Sequence, residues 1–322
     1  MSGPFTNGAS RILVASRSFG PNCPAAVAAL QAAGCEVVWA FDKKPTEDEL
    51  IAVAPAFDAI ISGTERISAR VLDACPRLKI ISKHGVGTEN IDLDHAKKRG
   101  IPVAIATGAI NDSVADHTWA LLLALARQVV ASHNDILAGG WQRFVGLELS
   151  GQTLGVIGFG QIGKAVCRRA AGFGVRVVVH DVFRDEAFSR EHGVEYLERD
   201  ALLARSDFVS LHCNVTPENR GFVNRAFLGQ MKRTALLINA SRGELVDEAA
   251  LTAALRAGTI AGAATDVFLQ EPPKGSPLLG APNFIATAHL AGQTVAGLRK
   301  MGEIAAENAL RVLQGRPPLF QV

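Results

Sequence analysis

Cysteine is scarce in this sequence: five in 322 residues, Cys23, Cys35, Cys75, Cys167 and Cys213, an odd number with no close pair. That argues against a disulfide frame and fits reduced thiols in the cytoplasm. Charge of one sign is also lacking. Thirty-three Lys and Arg against 31 Asp and Glu leave a formal charge of +2, with no long basic run, so nucleic acid is not an expected partner. No long hydrophobic run is present. The longest, TWALLLALA from Thr118 to Ala126, falls far short of the roughly twenty residues that cross a bilayer and reads as a buried helix. The opening MSGPFTNGASRILVAS has no charged-then-apolar leader, so no membrane association and a cytoplasmic location are expected. There is no low-complexity tract and no internal repeat. No set of His, Cys, Asp and Glu has metal-ligand spacing, so no metal is expected.

What is present is a core-forming chain, 48% apolar and 20% charged, long enough for two domains. RILVAS, EVVWA, DAIISG, LKIISK and PVAIA read as strands, alternating with helical segments at PAAVAALQAAG, TEDELIAVA, ISARVLDA and LDHAKKRG. Such alternation implies crossovers and a parallel sheet. A long helix follows. Ser113 and Asp116 have the spacing of a capping box at its start, and its apolar pattern runs past Arg127. From Thr153 a second set of strands appears: TLGVIG, RVVVHD, FVSLHC, ALLINA, AGAATDV and FIATAH, with helices from Gln161, Arg225 and Glu248. A last helix, near Val295 to Leu313, is expected to pack back on the first domain. The fold class is therefore α/β, two doubly wound parallel-sheet domains: 1–108 with 290–322, and 109–289.

Gly158-x-Gly160-x-x-Gly163 sits between an apolar strand and a helix. There Gly158 permits a tight turn, Gly160 lets backbone approach a pyrophosphate, and Gly163 lets helix and strand pack closely. The helix N-terminus offers N–H groups to phosphate. The next strand ends at Asp181, eighteen residues after Gly163, where a carboxylate accepts from ribose hydroxyls and repels a 2′-phosphate. The pattern predicts a dinucleotide site favouring NAD, with Arg184 nearby as a group able to screen a 2′-phosphate. Ligands of wound sheets lie at the carboxyl ends of strands. Those ends carry Arg242 after ALLINA, Asp266 and Glu271 after AGAATDV, and His289 after FIATA. Arginine forks a carboxylate or carbonyl, histidine gives a proton near neutrality, and a glutamate orients it, which suits hydride transfer to a 2-keto acid. Taken singly, Asp181 and Asp266 read equally well as a turn acid and a loop cap. Lys83 and His84 read as strand-end polar residues or as substrate contacts. His117, on the long helix, reads as a packed or interfacial residue.

The motifs INASRGELVDE (238–248), DVFLQEPP (266–273) and TAHLAG (287–292), behind GFGQIG, resemble those of the D-isomer-specific 2-hydroxyacid dehydrogenases, the phosphoglycerate dehydrogenase-like members above all. KHGVGTENID (83–92) and SVADHTWALLLALAR (113–127) resemble that family's substrate loop and interdomain helix. The resemblance implies a flavodoxin-like substrate domain and a Rossmann NAD-binding domain. By position, Arg242 binds and polarises substrate, His289 is acid and base, and Glu271 is its partner. Val86 and Gly87 offer N–H groups to the substrate carboxylate. Gly158, Gly160, Gln161, Ile162, Gly163, Asp181, Thr216, Ala240, Ser241, Arg242, Asp266, His289 and Gly292 line the cofactor, Asp266 at the nicotinamide carboxamide. It also implies a homodimer and a small D-2-hydroxy acid substrate: 3-phosphoglycerate, glycerate with hydroxypyruvate, or glycolate with glyoxylate. Ala288 and Asn214 stand where the family has prolines, and Glu89 where it has aspartate. The competing reading is a non-enzymatic NAD(H)-sensing partner protein on the same fold.

Overall fold

The computed structural model describes residues 9–322, so the expectation about the leader falls partly on residues 1–8, outside them. The chain divides into two compact units, one running up to Ile110 and completed by Gln293–Val322, the other Asn111–Gly292. The second boundary lies beyond 289 because the backbone N–H groups of Leu290 and Ala291 are bound by Asp266.

The first unit runs β1 (Arg11–Val14), α1 (Pro24–Ala32), β2 (Glu36–Trp39), α2 (Glu47–Val53), β3 (Ala59–Ser62), α3 (Ala69–Asp73), β4 (Ile80–Lys83), α4 (Leu93–Lys98) and β5 (Val103–Ala104). Its sheet has the order β2-β1-β3-β4-β5, every pair parallel. Strand side chains alternate between faces. Leu13, Ile60 and Ile81 meet Leu50, Val71 and Leu72 of α2 and α3 on one side. Ile12, Ile61 and Ile80 meet Ala26 and Leu30 of α1 on the other. That face is completed by the last helix of the chain through Ala305, Ala306 and Leu310.

The second unit begins with α5 (Asn111–Ala126) and α6 (Val129–Leu137). Here the structure departs from the sequence reading twice. Helix α5 starts at Asn111, so Ser113 is a buried residue inside it and not a cap. Gln128 takes a left-handed conformation, φ 54°, which ends α5 and starts a separate α6. The wound part follows: β6 (Thr153–Ile157), α7 (Gln161–Ala170), β7 (Arg176–His180), α8 (Glu186–His192), β8 (Glu195–Tyr196), α9 (Arg199–Arg205), β9 (Phe208–Leu211), α10 (Arg225–Gln230), β10 (Leu236–Asn239), α11 (Glu248–Arg256), β11 (Gly262–Thr265) and β12 (Phe284–Ala286). The final α12 (Val295–Leu313) belongs to the first unit. The seven parallel strands have the order β12-β11-β10-β9-β6-β7-β8, so the winding reverses between β6 and β9. Trp119, Leu122 and Leu125 of α5 pack with Ala165 and Val166 of α7 over Val156 and Ile238. Trp119 Nε1 donates to Val166 O at 3.0 Å, which locks the α5–α7 contact. Among the described residues no helix is long and apolar enough to cross a membrane, and no group of three or more His, Cys, Asp or Glu is placed to hold a metal ion.

Candidate active site

The turn after β6 is built by its glycines. Gly158 has φ 94°, and a Cβ there would strike the backbone of His212. A Cβ on Gly163 would strike the Gly158 carbonyl, so its absence seats α7 against the turn. Gly160 is different: a Cβ there would meet nothing within 4 Å, so the turn opens outward at this residue. No side chain caps α7 at Gly160, and the N–H groups of its first turn, Gln161 and Ile162 among them, have no intrahelical acceptor. An open, uncapped helix start is what a pyrophosphate needs. Asp181, one residue past β7, turns back on the loop, accepting from Phe159 N and, at 2.9 Å, from Phe183 N. Arg184 lies over the Tyr196 ring, 5.3 Å from its centroid. The residues present therefore fit a dinucleotide whose ribose meets a carboxylate.

Along the same carboxyl edge, the β10 loop is shaped by Asn239. Its side chain donates to Arg242 O at 2.9 Å and accepts from Ser241 N at 3.1 Å. Ser241 Oγ donates to Cys213 O at 2.6 Å. Ala240 is buried beside them. A Cβ on Gly243 would collide with the Phe268 carbonyl, so this glycine is what lets the Arg242 loop and the 266–271 segment meet. Thr216 lies on the exposed stretch after β9, its N–H donating to Asn219 at 2.7 Å.

His289 follows β12 with φ 51°, unusual for a residue bearing a side chain. Its Nδ1 lies 2.8 Å from Glu271 Oε2, and Glu271 Oε1 accepts from Phe268 N at 3.2 Å. The bond to Glu271 raises the histidine pKa above its ordinary value. Burial and the Arg242 charge oppose the rise, and Asp266 adds to it. Burial pulls Glu271 upward, but His289 and the Phe268 N–H more than offset it and leave its pKa lowered.

Asp266 has no exposed surface. Its Oδ1 accepts from Leu290 N at 2.9 Å and from Thr287 Oγ1 at 2.6 Å, its Oδ2 from Ala291 N at 2.8 Å, and its backbone O from His289 N at 2.8 Å. This carboxylate is turned inward and holds the backbone N–H groups of Leu290 and Ala291. Burial penalises its charge, yet His117, Thr287 and the two N–H groups lower its pKa overall. His117 is packed against this segment, as its place on the long helix suggested. Its Nε2 is 3.0 Å from Thr287 Oγ1 and 3.5 Å from Asp266 Oδ1. Nothing in a helical pattern says which strand end a histidine will meet.

Val86 and Gly87 belong to the first unit, on the loop after β4. Among the described residues neither backbone N–H is hydrogen-bonded. Lys83 and His84 are buried. The Lys83 ammonium is bound by Gly63 O and, at 2.6 Å, by Asn90 Oδ1. His84 Nδ1 meets Ser18 Oγ at 2.9 Å, and its Nε2 lies 3.3 Å from Leu298 O.

A wound sheet with an open dinucleotide turn, and an arginine, a histidine and its carboxylate along one edge, defines a nicotinamide-dependent dehydrogenase. The comparisons narrow that class. Residues 119–291 match the model of the D-isomer specific 2-hydroxyacid dehydrogenase NAD binding domain. A glyoxylate reductase from Korarchaeum cryptofilum is 41% identical over 289 residues, 87% of each chain. A D-3-phosphoglycerate dehydrogenase from Mycobacterium tuberculosis is 39% identical over 91% of this chain but only 55% of its own. A crystal structure from Thermus thermophilus superposes with a TM-score of 0.89 at 38% identity, covering 97% of this chain and 99% of that one. The chain belongs to the D-isomer specific 2-hydroxyacid dehydrogenase family. It is an NAD-dependent oxidoreductase of hydroxy acids, and nothing found supports the non-enzymatic alternative.

Proposed function

We propose that the chain reduces a small, unphosphorylated 2-keto acid, glyoxylate or hydroxypyruvate, to the D-2-hydroxy acid. The observation that carries this reading is the pair of His289 and Glu271, Nδ1 to Oε2 at 2.8 Å, a contact that favours the charged imidazole and raises its pKa. Bound NADH supplies the hydride. Nδ1 of His289 is held by Glu271, so Nε2 is the nitrogen that gives its proton to the substrate oxygen, and Nδ1 keeps its own. Arg242 binds the carbonyl and carboxylate oxygens as a fork. The unpaired N–H groups of Val86 and Gly87 receive the carboxylate. Gly158, Gly160, Gln161, Ile162 and Gly163 hold the pyrophosphate, and Asp181 the adenosine ribose. Thr216, Ala240, Ser241 and Gly292 line the remainder of the cofactor.

Two observations favour an unphosphorylated substrate over 3-phosphoglycerate. Lys83, the cation nearest the Val86–Gly87 loop in sequence, is buried and already bound by two oxygens. Relatives named glyoxylate reductase are also matched over most of their length. The protein acts as a homodimer in the cytoplasm on this reading. Support for the first comes from α6 and the stretch behind it, where Leu137, Trp141 and Val145 are each exposed, apolar surface of the kind that marks interaction sites. Support for the second is five free cysteines. The test is the initial rate of NADH loss with glyoxylate, hydroxypyruvate, pyruvate and phosphohydroxypyruvate. Turnover of the first two above the last is expected; preference for the phosphorylated acid contradicts the substrate class.

A further inference from the structure

Beside the three residues of the acid–base edge, the same unit holds a titratable side chain, His117, that the proposed chemistry does not use. His117 sits on α5 with its side chain 15% exposed, and it makes no hydrogen bond to Glu271 or His289. Its ring instead meets the back of the site. Thr287 has one hydroxyl hydrogen, and its 2.6 Å bond to Asp266 Oδ1 uses it, because an ionised carboxylate only accepts. The oxygen of Thr287 is then left as an acceptor, and the 3.0 Å contact requires His117 Nε2 to carry the hydrogen. The result is a directed chain: His117 Nε2–H to Thr287, Thr287 O–H to Asp266, and Asp266 to the N–H groups of Leu290 and Ala291.

What the chain holds is the strained part of the site. His289 keeps φ at 51° while its own N–H is bound to Asp266 O. A side-chain-bearing residue stays in that region only where its surroundings over-determine it. The clamp on residues 289–291 is that over-determination, and His117 is its outermost member. We propose that His117 is a positioning residue of this dehydrogenase: through Thr287 and Asp266 it keeps the His289 backbone in the conformation that aims Nδ1 at Glu271 and leaves Nε2 for the substrate. This rests on the hydride-transfer reading of the same edge and adds a member that helix packing alone does not require.

The experiment compares His117→Phe, which fills the space without a donor, with His117→Gln, which restores an N–H, and with Thr287→Val. Losing a hydrogen bond that serves a buried charge should lower kcat for keto-acid reduction about tenfold in His117→Phe, with KM for NADH unchanged. His117→Gln should recover to within about threefold of wild type, and Thr287→Val should lose as much as His117→Phe. The double variant should be no worse than the worse single one, because both cut one chain. Amide hydrogen exchange on the same proteins provides a readout independent of turnover: Leu290 and Ala291 should exchange faster in His117→Phe and not in His117→Gln. If wild type turns over and His117→Phe changes neither kcat nor exchange, the positioning role is overturned. It is overturned equally if His117→Gln fails as badly as His117→Phe, which marks a packing role. A wild type that turns over no keto acid, yet shows the expected exchange pattern, contradicts the dehydrogenase reading and leaves the positioning role standing.

Discussion

The two wound sheets of this chain use the same construction and spend their polar residues in opposite ways. In the first unit the loop after β1 is packed on its inner side, where Phe19 has no exposed surface and Ser16 and Ser18 close on His84, while its outer side borders an open cavity with Trp39 and Phe41. Lys83 and His84, at the end of β4, are buried and consumed by their neighbours. In the second unit the loop after β6 is open at Gly160, and the strand ends carry a histidine and a glutamate that shift each other's titration. The two histidines even respond to pH with opposite sign. Burial holds His84 below 6.5, whereas Glu271 holds His289 above it. A doubly wound sheet therefore does not make a dinucleotide site. The turn after its first strand does.

The sharpest way to break that contrast is to remove the proton donor. His289→Ala should lower keto-acid reduction by about a hundred- to ten-thousandfold while NADH still binds, measured by initial rates beside fluorescence titration. Exchanging the character of the two turns comes next. Phe19→Ala, at the buried aromatic of the first turn, should destabilise the protein by about 3–5 kcal/mol in denaturant melts, as emptied aromatic core sites do. Gly160→Val, in the open turn, should leave the melt nearly unchanged and abolish the rise in melting temperature given by NADH. An equal stability loss in both would mean that the second turn is also a packed core. A smaller effect is expected at Asp181, where Asp181→Ser should shift kcat/KM toward NADPH by about tenfold, the scale of one charge interaction near a surface.

The smallest effects are the pH shifts. Reduction needs charged His289, so its rate should hold at low pH and fall as pH rises through the raised pKa. Glu271→Gln removes the largest raising cause, and the fall should move to lower pH in a profile across about pH 5 to 9. His84 has the reverse sign. At pH above 6.5 it is neutral folded and unfolded, and its contribution is complete. As pH drops below 6.5 the unfolded chain takes the proton first and stability is lost. His84→Asn should flatten that loss in chemical melts.

Strand placement was legible because β-branched runs between small-residue helices report burial on both faces, as in Ile80–Lys83 and Leu236–Asn239. The glycine turn and the order of Arg242, Glu271 and His289 were legible because they lie at strand ends, where a wound sheet collects its chemistry. The start of α5 was not. Ser113 mimics a cap by spacing, but a helix that begins two residues earlier buries it. The break at Gln128 was hidden because a left-handed residue that is not glycine leaves no mark in an apolar pattern. The inward turn of Asp266 and its link to His117 depend on which face of α5 meets β11, a tertiary fact no local window contains.

The most direct test of the central claim, that the open edge of the second sheet transfers hydride with His289 as the acid, pairs one rate with one binding constant. NADH loss is followed with glyoxylate and hydroxypyruvate for wild type and His289→Ala, and NADH affinity is measured on both proteins. The account predicts turnover by wild type, a loss of at least about a hundredfold in the variant, and equal NADH binding. Equal turnover by the two proteins, or no turnover by a wild type that binds NADH tightly, would contradict it.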